Sequence, residues 1–210
     1  MFSDLWEEYY RRKDYHWGGG PVPLPKLRKG AMVLEIGCGT GNITIQALEM
    51  GYKVTGIDLS RTAIQTARER ATARGFQPDL NVMDILMDEL PDDVYDAVFL
   101  HHVLGSMWAE ERAEAVKKVI SALKPGGELS FIDFSVSDMR YGDGQMVEKD
   151  TFMKGSGFIQ HFFTADEVKA LISDLEPIRV EEISWEQGAG KEAQKRSRII
   201  GQFTDYSGIS

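Results

Sequence analysis

The ten residues Val33-Leu34-Glu35-Ile36-Gly37-Cys38-Gly39-Thr40-Gly41-Asn42 constrain the fold of this chain more than any other stretch. An apolar strand passes directly into a turn with glycine at alternate positions. Glycine reaches left-handed dihedrals without strain and leaves bare backbone against which a ligand can lie. A dinucleotide fingerprint has the same outline but needs a small residue at position 42, where this chain has Asn42, so the turn suits a nucleoside without a pyrophosphate. The second strand then closes on Gly56-Ile57-Asp58-Leu59-Ser60. That places a carboxylate at the carboxyl edge of the sheet beside the glycine turn, where it can accept both hydroxyls of a ribose. Ser60 is already placed to cap the helix that follows, which leaves Asp58 for the ligand.

Around these two signals the hydrophobic pattern alternates between strand and helix periods. Strands are expected at Met32–Ile36, Lys53–Ile57, Leu80–Met83, Ala97–Leu100 and Glu128–Phe134, and helices at Asn42–Met50, Ser60–Arg74 and Glu110–Leu123. Ala63, Ile64, Ala67 and Ala71 form the apolar stripe of the second helix, and Ala113, Val116, Ile120 and Leu123 that of the third. Such alternation implies parallel crossover units, hence an α/β, doubly wound, Rossmann-like sheet with its ligands at the carboxyl ends of the strands. Ile178–Trp185 and Arg198–Phe203 are joined by too short a loop for a crossover helix, so they are expected to pair antiparallel at the sheet edge and bring the strands to seven. Thr164 with Glu167 reads as a capping box for a helix through Leu175. No repeat or linker interrupts the pattern. Residues 1–210 therefore read as one domain, with an N-terminal aromatic helix or lid over 1–28 and a variable substrate-side loop over 136–160.

Composition then narrows the classes of function. Aspartate and glutamate number 33 against 24 lysine and arginine, a formal net charge of -9. Displacing counterions from phosphates needs cationic surface, so nucleic acid is not the expected partner. Lys191, Lys195, Arg196 and Arg198 form only a modest basic cluster, which reads as a solvated loop. Cys38 is the one cysteine, so the chain has no intrachain disulfide and no cysteine-based metal cluster, and a reducing compartment fits best. Met1 to Lys13 alternates aromatic and charged residues unlike a secretory signal, and no apolar stretch nears the roughly 20 residues that span a bilayer. The expectation is a cytoplasmic protein with no membrane contact and no metal; nothing in the pattern fixes an oligomeric state.

With these motifs in this order, the chain resembles class I S-adenosylmethionine-dependent methyltransferases. The first family motif is matched by Glu35 with Gly37, Gly39 and Gly41, and the ribose acid by Asp58. The resemblance implies that Leu59 packs on adenine, and that Asp84, in Val82-Met83-Asp84-Ile85, meets the adenine amine with Ile85 beside it. Tyr95-Asp96-Ala97-Val98 and Leu123-Lys124-Pro125-Gly126-Gly127-Glu128-Leu129 also match, and His101 falls at the family's cofactor edge after the fourth strand. The aromatic N-terminus and the segment Gly157–Thr164 resemble small-molecule methyltransferases of the tellurite-resistance and related general types. What the resemblance implies is methyl transfer from S-adenosylmethionine, with the closing hairpin antiparallel.

Methyl transfer is a displacement at an activated sulfonium, so the protein mainly supplies alignment. Where a hydroxyl or protonated amine is the nucleophile a general base helps, and the candidates are His101, His102 and His161. Alternation along a strand turns His101 and His102 to opposite faces, so one of the two is expected at the site. Tyr9, Tyr10, Tyr15, His16 and Trp17 are the lid candidates, able to exclude water and present an aromatic face to the sulfonium. His101-His102-Val103-Leu104 stands where amino-methylating nucleic-acid enzymes carry an Asx-Pro-Pro-aromatic signature. A small-molecule acceptor is therefore expected, with a protein acceptor, or a non-catalytic S-adenosylmethionine-binding regulatory module, as the alternatives.

Overall fold

The computed structural model describes residues 2–12, 22–187 and 194–206. The first half of the chain runs α1 (Phe2–Arg11), β1 (Met32–Ile36), α2 (Asn42–Glu49), β2 (Lys53–Asp58), α3 (Arg61–Thr72), β3 (Asp79–Val82) and β4 (Tyr95–His101). The second half, after a short 3-10 turn at Leu104–Ser106, runs α4 (Ala109–Ala122), β5 (Leu123–Phe134), β6 (Gln145–Glu148), β7 (Thr151–Met153), β8 (Ile159–His161), α5 (Ala165–Leu171), β9 (Glu176–Gln187) and β10 (Gln194–Thr204).

Seven of these strands form one sheet in the order β3-β2-β1-β4-β5-β10-β9. β1 lies between β2 and β4 and is buried from Val33 to Ile36, as expected where helices cover both faces of a parallel sheet. Its register decides where the site falls. Ile36 pairs with Ile57 on one side and with Leu100 on the other, so Gly37, Asp58 and His101 leave the sheet at one level along the same edge. β10 pairs antiparallel with both β5 and β9. The antiparallel strand thus sits one place in from the edge strand β9.

Helix packing follows the apolar stripes, with one correction. Ala63, Ile64, Ala67 and Ala71 of α3 are all buried, and Ser60 caps the helix by accepting the Ala63 N–H at 3.0 Å. On α4 the buried face is Arg112, Ala115, Val116, Val119 and Ala122, rotated by about one residue from the predicted stripe. The rotation arises because Arg112 turns inward: its Nη1 donates to the Met107 carbonyl at 2.7 Å and its Nη2 stands 3.8 Å from Glu148. A buried arginine with acceptors escapes any hydrophobicity pattern.

The stretch 136–160, expected as a loop, forms a three-stranded antiparallel sheet, β6-β7-β8, instead. The capping box at α5 is only half made. Thr164 Oγ1 accepts the Glu167 N–H at 3.2 Å, but the Glu167 side chain turns to His161, with Nε2 and Oε1 2.7 Å apart. Of the 1–28 segment, α1 and the extended run from Val22 are described; Tyr15, His16 and Trp17 lie outside the described residues, as does Lys191.

Candidate active site

The turn between β1 and α2 has positive φ at Gly37 (66°) and Gly39 (52°), where an L side chain is strained. Space is also short. A Cβ on Gly37 would stand 2.7 Å from Val103 Cγ2, and one on Gly39 would stand 2.7 Å from Tyr10 Oη. Asp58, arriving on β2, ties this turn to the next helix: Oδ2 accepts the Gly39 N–H at 2.8 Å and Oδ1 the Ser60 N–H at 2.9 Å. Burial pushes the Asp58 carboxyl up, and those two N–H groups oppose the shift. A carboxylate offers roughly four acceptor positions, so two remain after these bonds.

Glu35 lies beneath the turn. It is buried and accepts a hydrogen bond from Thr44 Oγ1 on α2. Burial pushes its carboxyl up to about 8; the Thr44 hydroxyl pulls the other way, and the negative charge of Asp58 adds to the rise.

At the carboxyl edge of the sheet opens a cleft of about 360 Å³. Gly37, Asp58 and Leu59 form one wall, Met83 to Met87 with Asp84 and Ile85 the next, and His102, Val103, Ser106, Met107 and Glu111 the far end. Ser3, Trp6 and Tyr10 of α1 close it from outside. The structure thus brings together Gly37, Asp58, Leu59, Asp84 and Ile85 from the predicted cofactor set. Glu35, Gly39, Gly41 and His101 stand behind the lining as supports. Of the described lid residues Tyr10 lines the cleft, whereas Tyr9 packs on Trp6 and Phe158 with ring centroids 5.5 and 5.7 Å away.

The three histidines separate clearly. His101 is turned into the sheet, its Nε2 2.9 Å from Ser130 Oγ and its ring stacked on Phe99, and burial drives its pKa down to about 3. His161 is buried with both ring nitrogens engaged, Nδ1 by Thr151 Oγ1 at 2.8 Å and Nε2 by Glu167, and it does not line the cleft. His102 does line it. Its backbone adopts φ 59°, its ring packs on Phe134 at 4.5 Å, and Nδ1 lies 3.6 Å from Asp133 Oδ1. Burial lowers its pKa, with Asp133 opposing. Asp133 was missed from sequence because an aspartate inside an apolar strand carries no periodic signal; here it also accepts the Gly105 N–H at 2.8 Å.

A family model described as a methyltransferase domain matches residues 33–127, the span that holds the glycine turn, Asp58 and Asp84. A crystal structure of an S-adenosylmethionine-dependent methyltransferase from Methanosarcina mazei superposes with a TM-score of 0.75 at 25% identity, covering 86% of this chain and 94% of that one. The chain carries a methyltransferase domain on the fold of class I S-adenosylmethionine-dependent methyltransferases. The site fits that cofactor on its own geometry: bare Gly37 backbone, a buried carboxylate with spare acceptor positions, and Leu59, Asp84 and Ile85 lining the same cleft. Asp58 would hold the ribose, Leu59 and Ile85 the adenine ring, and Asp84 its amine.

Among curated relatives, the tRNA N(3)-methylcytidine methyltransferase trm141 of Schizosaccharomyces pombe is 29% identical over 192 residues, 78% of this chain and 74% of that protein. The tRNA N(3)-methylcytidine methyltransferase Mettl2 of Drosophila melanogaster is 26% identical over 193 residues, 80% of this chain but 59% of that one. These relatives overturn the expectation of a small-molecule partner and the exclusion of nucleic acid. Two physical points explain the miss. Net charge averages the whole surface, whereas an acceptor meets only one part of it. The absent Asx-Pro-Pro-aromatic signature belongs to exocyclic amines, and the relatives' names specify a ring nitrogen.

Proposed function

We propose that this methyltransferase acts on RNA, at N3 of a cytidine in tRNA. The similarity to the two tRNA N(3)-methylcytidine methyltransferases, over 78% and 80% of this chain, carries the reading. The site's chemistry is compatible with it. Bound cofactor supplies an electrophilic methyl on a sulfonium. Cytosine N3 attacks with a ring lone pair and has no proton to lose, so alignment suffices and no general base is needed. Positive charge passes to the base as the methyl arrives. His102, with its pKa lowered by burial, stays neutral near pH 7 and adds no opposing charge at that end of the cleft. Its left-handed backbone is a strained conformation for a histidine, of the kind found where a side chain is held for a purpose. We place it, and neither His101 nor His161, against the acceptor.

The test is methyl-labelled S-adenosylmethionine with total tRNA, followed by nuclease digestion and separation of nucleosides. The expected result is enzyme-dependent label in 3-methylcytidine. Label confined to molecules that pass a macromolecule-retaining filter before digestion overturns the reading.

A further inference from the structure

Helix α1 is fastened at two points by residues that do not line the cleft. At the first, Glu7 sits at the N-terminus of α3. Its Oε2 accepts Ser60 Oγ at 2.7 Å and the Thr62 N–H at 3.2 Å, and its Oε1 accepts Thr62 Oγ1 at 2.6 Å. The Thr62 and Ser60 hydroxyls hold this carboxyl down to about 2, so it stays charged throughout the neutral range. Ser60 is the residue whose N–H also binds Asp58, so the fastening reaches the ribose acid through one residue. At the second, Phe158, in the turn between β7 and β8, meets Trp6 at 4.8 Å and Tyr9 at 5.7 Å. Between the two fastenings Ser3, Trp6 and Tyr10 form the outer wall, with Tyr10 Oη over the bare Cα of Gly39.

We propose that α1 is a strap across the bound cofactor, with Glu7 and Phe158 as positioning residues that hold it shut through separate contacts. Neither touches the cofactor. Each acts through the helix that carries Trp6 and Tyr10. Because Phe158 sits in the turn that joins β7 to β8, retention of the cofactor is coupled to a part of the molecule with no place in the cleft wall.

The test uses the full chain and S-adenosylhomocysteine alone. No acceptor is present, so the outcome is independent of what the enzyme methylates. Dissociation is followed by stopped-flow displacement for wild type, Glu7→Ala, Glu7→Gln, Phe158→Ala and the double variant Glu7→Ala/Phe158→Ala. Charge-assisted hydrogen bonds to a partly buried carboxylate are lost in Glu7→Ala, so release is expected to quicken about tenfold or more. Glu7→Gln keeps an acceptor for the hydroxyls and falls between. Phe158→Ala quickens release as well, and the double variant releases more slowly than the product of the two single effects, because either loss already frees the strap. Hydrogen exchange of the cofactor-free protein gives a second readout: the α1 amides exchange faster in both single variants while those of β1 and β4 keep wild-type protection. Release within twofold of wild type in both single variants, with the sheet amides protected, overturns the proposal. So does a Phe158→Ala protein that releases at the wild-type rate while Glu7→Ala does not.

Discussion

At Asp58 the same carboxylate builds the turn and faces the cleft. Asp58→Ala removes the acceptor for the Gly39 and Ser60 N–H groups together with the ribose contact we propose for it. Calorimetric affinity for S-adenosylhomocysteine is expected to fall at least tenfold, and about a hundredfold if the turn also opens. Asp58→Asn, which keeps one acceptor, should lose less. Glu35 makes a prediction about pH. Its carboxyl rises from 4.5 in the unfolded chain to about 8 in the fold, so folding favours the protonated form. The stability this contributes is complete below pH 4.5 and is lost as the pH rises through about 8. Melting temperatures of the cofactor-free protein should therefore decline across that window, and Glu35→Gln should flatten the decline. A wild-type profile that rises from pH 5 to 8, with no difference in the variant, would contradict the assignment.

Among the elements, the β6-β7-β8 sheet and α5 share a polar clamp. His161 joins Thr151 on β7 to Glu167 on α5, and its ring also meets Phe163 edge-on at 4.4 Å. His161→Leu strands two polar partners and is expected to cost about 2 kcal/mol in urea unfolding. Its affinity for S-adenosylhomocysteine should stay within about twofold, since the clamp stands off the cleft. A variant that unfolds like wild type but transfers no methyl would return His161 to the catalytic candidates. Nothing in the sequence distinguished this histidine from His102, because each ends a short polar pair flanked by apolar residues. The three-stranded sheet was equally hidden. Its strands are only three or four residues long, too short for alternation to be counted.

Taken whole, the molecule carries a net charge of -9, and a polyanionic acceptor must approach against it. A protein that binds RNA through many phosphate contacts loses affinity steeply with salt, in proportion to the contacts made. Here the expected dependence is shallow. The double-logarithmic slope of kcat/KM for tRNA against salt should be no steeper than about -2, corresponding to two or three phosphates. A slope of -5 or beyond would reveal a concentrated cationic surface that the overall composition conceals. Among the described residues, no helix is long and apolar enough to cross a membrane.

The sequence by itself determined the architecture and picked out five of the residues that line the cleft. Strand and helix periods, the glycine turn and the spacing to Asp58 are local properties, and local properties survive being read in a line. Gly37, Asp58, Leu59, Asp84 and Ile85 met in one cleft because the parallel register of β1 with its neighbours brings their carboxyl ends level. Only the tertiary structure decided the rest. Which of two adjacent histidines faces the cleft depends on the left-handed backbone at His102, just past the end of β4, and the inward turn of Arg112 depends on acceptors lying elsewhere in the chain. The pairing of Glu7 with Ser60 and Thr62 spans more than fifty positions, a distance no sequence period reports. The polar and aromatic contacts that hold α1 over the cleft join single residues far apart in the chain, and such contacts exist only once the fold has brought their partners together.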